Sequence, residues 1–224
     1  MGKRLVNSKK EIDSTKSYAP TEAIELAKKT ATTKFVGNIE AHVRLGIDSK
    51  KSDQTVRTTV KFPNSTGKTK RIIAFVTEAK EKEAKEAGAV IVGGEDLIKK
   101  IKETEKLDFD IAVAEPSIMA KLAQIAKILG PRGLMPNPKT GTVTADIGKA
   151  IKEYAAGKTE FKNDESGNVH ITLGKSNLET KALADNFQTF MDALNAARPG
   201  ALKKEFINSI TIHSTMGPGI RVKV

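Results

Sequence analysis

"RIIAFVTEAKEKEAKEAGAVIVGGEDLIKKIKETEKLDFDIAVAEP", residues 71–116, alternates short apolar runs with charged segments of helical spacing. "RIIAFVTE" reads as a buried strand. "AKEKEAKEAG" follows as a surface helix, with Glu81–Lys85 and Lys82–Glu86 four residues apart and Gly88 as its stop. Strand "AVIVGG", helix "EDLIKKIKE" and strand "FDIAVAEP" come next, and then Ile118, Leu122, Ile125 and Leu129 make one helical stripe. Buried strands alternating with amphipathic helices predict a small parallel, Rossmann-like sheet. The Pro- and Gly-rich stretch "ILGPRGLMPNPKTGTVTADIG", residues 128–148, leads into a helix from about Asp146 to Ala156, with Gly157 as its stop.

The flanks are patterned differently. On the N-terminal side a helix near Thr21–Ala31 precedes "NIEAHVRLGI" and "QTVRTTVKF", both alternating with period two. On the C-terminal side "TEFKNDESGNVHITLG" gives strand, turn at Asn163–Gly167 and strand. Ser176 and Glu179 then suggest a capping box before a helix with Leu183, Phe187, Phe190, Met191 and Leu194 on one face, ended by Pro199-Gly200. "EFINSITIHST" and "GIRVKV" read as a final strand pair. Neither flank has enough strands for a stable sheet alone, so the two are expected to form one antiparallel sheet backed by two helices. The predicted architecture is a discontinuous α+β domain, residues 1–65 and 158–224, with an inserted Rossmann-like α/β domain, residues 66–157. The crossings near Asn64–Lys68 and Gly157–Thr159 would then form a paired hinge.

The 224 residues carry 38 Lys+Arg against 27 Asp+Glu, a formal charge of +11. Residues 66–157 hold 16 basic and 13 acidic residues, net +3, leaving 22 and 14, net +8, for the flanks. A polyanion is therefore the expected partner, and nucleic acid the first to consider. No apolar run of membrane-spanning length and no secretory h-region is evident, which predicts a cytoplasmic protein with no membrane partner. The chain has no cysteine, and His42, His170 and His213 lie far apart without a metal-ligand spacing, so no metal is expected.

Catalytic motifs are also missing. Gly67-Lys68-Thr69 resembles the tail of a phosphate-binding loop, but Phe62 stands where that motif needs glycine, and a strand follows instead of a helix. In "VIVGGED" the acidic Glu95 and Asp96 occupy a helix start and would repel phosphate. No catalytic residue and no cofactor is expected, and the chain reads as not being an enzyme.

Aromatic residues make up 4% of the chain, which argues against base stacking on an aromatic sheet and for recognition through shape, phosphates and 2′-hydroxyls. The candidate contacts are Lys34 and Phe35, on the link between the first helix and its strand, and Ser214, Thr215, Met216 and Gly217, between the last two strands. Hydroxyls, free amides and glycine permit close approach to an RNA backbone. Core packing is the competing reading for Phe35 and Met216, and turn formation for Thr215 and Gly217.

"ILGPRGLMPNPKTGTV" resembles, almost residue for residue, the signature of the ribosomal protein L-one family, of bacterial type. "KFVGNIEAHVRLGID", "SDQTVRTTVKFP", "AGAVIVGG", "FDIAVAEP", "GNVHITLGK" and "TMGP" extend the likeness along the chain. The resemblance implies a two-domain protein of the large ribosomal subunit that binds ribosomal RNA at the mobile side stalk. It also implies assistance to exit-site tRNA release and repression of its own messenger. The partners would be side-stalk rRNA, exit-site tRNA and the messenger leader, with a monomer off the ribosome; a nonspecific basic RNA chaperone is the alternative. Lys34, Phe35, Thr215, Met216 and Gly217 match the family's main contact patch, with His170 and Lys175 on matching strands. Three prolines fix the backbone of the 128–148 loop, where Arg132 and Lys139 are expected as secondary RNA contacts, while Leu134 and Met135 pack the loop onto its own domain; a loop that only braces the inserted domain is the competing reading.

Overall fold

The computed structural model describes residues 2–67, 70–200, 202 and 204–223, so Lys68 and Thr69 of the rejected phosphate-loop motif lie outside the described residues. The chain divides into two compact units, residues 1–67 with 159–224 and residues 68–158.

The first unit begins with α1 (Lys3–Lys10), α2 (Pro20–Lys29), β1 (Asn38–Leu45) and β2 (Arg57–Val60). The second unit follows with β3 (Ile72–Phe75), α3 (Glu81–Glu86), β4 (Ile91–Gly93), α4 (Glu95–Thr104), β5 (Ile111–Ala114), α5 (Met119–Leu122), α6 (Ala126–Leu129) and α7 (Ile147–Ala155). The chain returns to the first unit with β6 (Thr159–Lys162), β7 (Asn168–Lys175), α8 (Thr180–Ala196), β8 (Ile207–Ser214) and β9 (Ile220–Val222).

In the first unit an antiparallel sheet runs in the order β7-β1-β8-β9. The period-two alternation sets its faces: Ile39, Ala41, Val43, Val169, Ile171, Leu173, Ile210 and Ile212 point into a core shared with Ile24 and Ala27 of α2 and Leu183, Phe187 and Phe190 of α8. The opposite face carries Glu40, His42 and Arg44. Strands β2 and β6 form a separate two-stranded sheet, whose Val60 and Phe161 reach the same core. The turn between β6 and β7 is held by the Asp164 carboxylate, which accepts from Ser166 N (2.9 Å) and Asn168 N (2.7 Å). Its Gly167 adopts φ 79°, a left-handed conformation that suits glycine.

Two local expectations need correction. Ser176 does not cap α8: the helix begins at Thr180 behind an extended Glu179 that makes no side-chain cap hydrogen bond. The sequence pattern also gives no sign of α1, "KRLVNSKK", whose buried residue is Ser8.

The second unit holds a parallel sheet in the order β4-β3-β5. The central strand β3 is buried on both faces, as in parallel sheets covered by helices. Ile73 and Phe75 meet Ile98 and Ile101 of α4, while Ile72 and Ala74 meet Ala84 of α3 and Ile147 and Ile151 of α7. Ile118, Leu122, Ile125 and Leu129 are all buried as their spacing predicts, but the backbone beneath them breaks into alternating 3₁₀ and α turns.

Candidate nucleic-acid interface

The antiparallel register brings the start of β1, the end of β7 and the end of β8 to one end of the sheet, with Asn38 opposite Lys175 and Ile39 opposite Ser214. Four of the expected contact residues, Lys175, Ser214, Thr215 and Met216, thus gather beside the link that carries Lys34 and Phe35. Backbone and side chain fix this end together. Thr215 N donates to Asn38 O (2.8 Å), Asn38 N donates to Thr215 Oγ1 (2.9 Å), and Ser176 N donates to Gly37 O (2.9 Å).

Phe35 is 57% exposed and Met216 65%, which rules out core packing for both. Val36, also exposed, joins them and was not singled out by sequence reasoning. Met216 takes φ 63°, and Gly217 N closes the turn onto Ser214 O at 2.7 Å. Arg4 of α1 donates through Nη2 to the Met216 carbonyl (2.7 Å), a clamp that sequence patterning could not reveal because the two residues are 212 positions apart. Ser214 differs from its expected role at the surface: its side chain is fully buried under the turn, and its Oγ and Asn38 Oδ1 have no hydrogen-bond partner among the described residues.

His170 sits away from this end, in the middle of β7 directly opposite His42. The outward phases of β7, β1 and β8 line up His170, His42 and His213. His42 Nδ1 lies 2.5 Å from His170 Nδ1, and His42 Nε2 lies 2.6 Å from His213 Nε2. The His42 and His213 rings have centroids 4.5 Å apart and 9° between planes, and they meet edge to edge through these nitrogens. Burial, reinforced by the charges of His213 and His170, pushes the His42 imidazole down to about 4, so this ring is neutral at neutral pH. Linear spacing argued against a metal site, but the register brings together Glu40, His42 and His213, whose ligand atoms lie within 4.8 Å of one another. The discoverable signal was strand phase: each histidine occupies an outward position of a period-two pattern.

Arg132 and Lys139 lie exposed on the Pro-rich loop of the second unit. Leu134 and Met135 pack that loop against the core around Leu122 and Ile125, as their apolar character predicts. The loop is tied internally: Asn137 Oδ1 accepts from Lys139 N (2.9 Å), Asn137 N donates to Thr142 Oγ1 (2.7 Å), and Tyr154 OH donates to Thr140 O (2.7 Å). These bonds hold the Lys139 segment, and the turn bearing Arg132 is closed by Gly133 N donating to Gly130 O (3.0 Å) and Leu134 N donating to Leu129 O (3.0 Å).

The family model for ribosomal protein L1p/L10e matches residues 27–218. The chain belongs to the ribosomal protein L1p/L10e family. Membership makes it a structural protein of the large ribosomal subunit that binds ribosomal RNA. The matched range includes Lys34, Phe35, the histidine row, the 128–148 loop and the turn through Gly217, whereas α1 with Arg4 precedes it. Both the antiparallel sheet and the three-stranded parallel sheet accord with the L1p/L10e fold. Among the described residues no helix is long and apolar enough to cross a membrane.

Proposed function

We propose that this L1p/L10e protein recognises the side-stalk site of large-subunit ribosomal RNA through the sheet end formed by Lys34, Phe35, Lys175, Thr215, Met216 and Gly217, with Ser214 supporting the turn from beneath. The observation that carries this reading is the exposure of Phe35 and Met216 on a backbone cross-braced by Thr215 and Asn38. Exposed apolar groups on a rigid frame with lysines beside them suit a folded RNA, where shape and phosphate contacts dominate. His170 is a secondary contact from the adjoining sheet face. Arg132 and Lys139 are secondary RNA contacts of the second unit.

On this reading residues 1–65 and 158–224 form the RNA-binding domain and residues 66–157 the inserted domain. The protein acts in the cytoplasm as a monomer before joining the ribosome. It assists release of exit-site tRNA, and it represses its own messenger through an RNA fold similar to the stalk site. The test is binding to a side-stalk RNA fragment and to a scrambled hairpin over a salt series, for wild type and Thr215→Ala. Preference for the stalk RNA, lost in a folded Thr215→Ala, supports the reading. Equal, salt-erased affinity for both RNAs identifies a nonspecific basic RNA chaperone instead.

A further inference from the structure

We propose that Glu40, His42 and His213 form a site for a divalent transition-metal ion of the zinc class, with His170, Asp164 and the Ser214 carbonyl as its outer hydrogen-bond partners. The three imidazoles form one chain of contacts whose two ends are fixed by their partners. The Ser214 carbonyl only accepts, so His213 carries its hydrogen on Nδ1, 2.8 Å away, and Nε2 keeps a lone pair. Asp164 is an ionised carboxylate, its acidity raised first by the backbone N–H of Asn168, so His170 Nε2, 3.4 Å away, carries hydrogen toward it. His170 Nδ1 lies 2.5 Å from His42 Nδ1, which ties the His42 ring to this outer pair. On its other side His42 Nε2 faces His213 Nε2 at 2.6 Å.

The two facing nitrogens lie where the Glu40 carboxylate also converges, the three ligand atoms being within 4.8 Å of one another. Two lone pairs so close repel each other unless a cation lies between them. A metal ion held by the two facing nitrogens would have its charge offset by the Glu40 carboxylate. Each imidazole's remote N–H already has an acceptor, the arrangement that orients metal-binding histidines. Zn–N bonds near 2.0 Å set ligand nitrogens about 3.3 Å apart, so metal binding requires the His42 and His213 nitrogens to separate by several tenths of an ångström from their 2.6 Å contact. Two imidazoles and one carboxylate suit Zn(II), Co(II), Ni(II) or Cu(II), not Mg(II) or Ca(II), and leave a fourth position open. The register creates the site: Glu40 is opposite His213 across β1 and β8, and His42 is two residues along on the same face.

The experiment titrates untagged, RNA-free protein with Zn(II) by calorimetry and with Co(II) by visible absorption, at pH 7 and pH 8. Saturable binding of one equivalent, with the absorption of a low-coordinate Co(II), is expected. His213→Thr, which retains a residue suited to a strand, and Glu40→Gln should each weaken binding at least about tenfold. His170→Ala should also weaken it, by about tenfold to a hundredfold, as an outer partner. Far-UV circular dichroism checks that each variant folds. The chain has three histidines and no cysteine, so imidazole ¹⁵N resonances that shift on adding Zn(II) trace to this cluster alone. Lack of stoichiometric binding at pH 8, or equal binding by His213→Thr, overturns the proposal. So does a nitrogen spectrum showing only a proton shared between His42 and His213 in the presence of Zn(II).

Discussion

Replacing Gly217 with alanine sets a definite steric problem at the turn that presents Met216. An added Cβ would lie 2.3 Å from Ser214 Oγ, 3.0 Å from Ser214 O and 3.5 Å from Ser214 Cβ. Rotating the hydroxyl relieves the first contact but not the second, and Ser214 is fully buried. Overpacking of this kind costs about 1–3 kcal/mol. Opening the turn to relieve it weakens the 2.7 Å bond from Gly217 N to Ser214 O, worth about 1 kcal/mol. Gly217→Ala is therefore expected to lose about 2 kcal/mol in urea unfolding. Ser214→Ala alone should be neutral or stabilising by up to about 1 kcal/mol, because its hydroxyl is buried without a partner. The double variant should recover about 1 kcal/mol of the Gly217→Ala loss, since the nearest clash is gone, and a double-mutant cycle reads that coupling directly. Titration with stalk RNA supplies the second measurement. Folded Gly217→Ala should bind at least about tenfold more weakly, a loss of about 1.4 kcal/mol, because the turn re-aims Met216. Strict additivity of the two stabilities would refute the turn geometry, and unchanged affinity in the folded variant would refute the turn as a contact.

Phe35→Ala and Met216→Ala should each change stability by less than about 0.5 kcal/mol, as befits exposed side chains, while lowering stalk-RNA affinity at least about tenfold; a matched loss of stability would reassign them to packing. Charge reversal at Arg132 and Lys139 should flatten the salt dependence of RNA binding by about one unit of slope per lost phosphate contact, and an unchanged slope leaves the loop a brace for its own unit. Asn186→Ala should cost about 2–4 kcal/mol in urea unfolding. The buried Asn186 amide donates to Leu173 O (2.8 Å) and Asn64 O (3.1 Å) and accepts from Asn64 N (3.1 Å), so truncation strands three backbone groups; a loss under about 1 kcal/mol would contradict that account. The backbone N–H of Arg71 holds the Asp110 carboxyl below the usual carboxylate range, with the Arg71 guanidinium adding to it. A lowered folded-state value means stability present above the unfolded value near pH 4 and lost as pH falls through the folded one. Asp110→Asn should accordingly flatten the acid limb of the stability curve, by at most about 1 kcal/mol for so exposed a pair. An acid limb identical to wild type would remove Asp110 from that role.

The core was legible because period alone sets which side chains face inward. Ile39, Ala41 and Val43 alternate with Glu40, His42 and Arg44, and the burial follows that phase without any tertiary knowledge. The helix over residues 118–129 shows the limit of the same signal: the stripe reports which residues are buried, whereas the local balance of 3₁₀ and α hydrogen bonds depends on packing that the stripe does not encode. The capping box failed for a related reason. Ser176 and Glu179 have the right spacing, but Ser176 N is engaged with Gly37 O at the end of the sheet, so the chain is still finishing β7 when the motif would start a helix.

The candidate interface was only half legible, and the divide lies between residue type and pairing. Phe35 and Met216 could be singled out as residue types, yet their exposure depends on a turn closed by Ser214 and Gly217 and on a cross-brace between residues 38 and 215. Arg4 adds a third remote segment, reaching the Met216 carbonyl from a helix with no apolar stripe to announce it. The histidines press the point further. Positions 42, 170 and 213 share no linear motif, but in antiparallel strands proximity is set by register and outward phase, so a spacing rule suited to helices excludes what a sheet can assemble. Glu40 gains its ligand role in the same way, from Glu40 standing opposite His213 across β1 and β8. A strand-phase search for metal-binding residue types on adjacent strands therefore carries information that linear motifs omit.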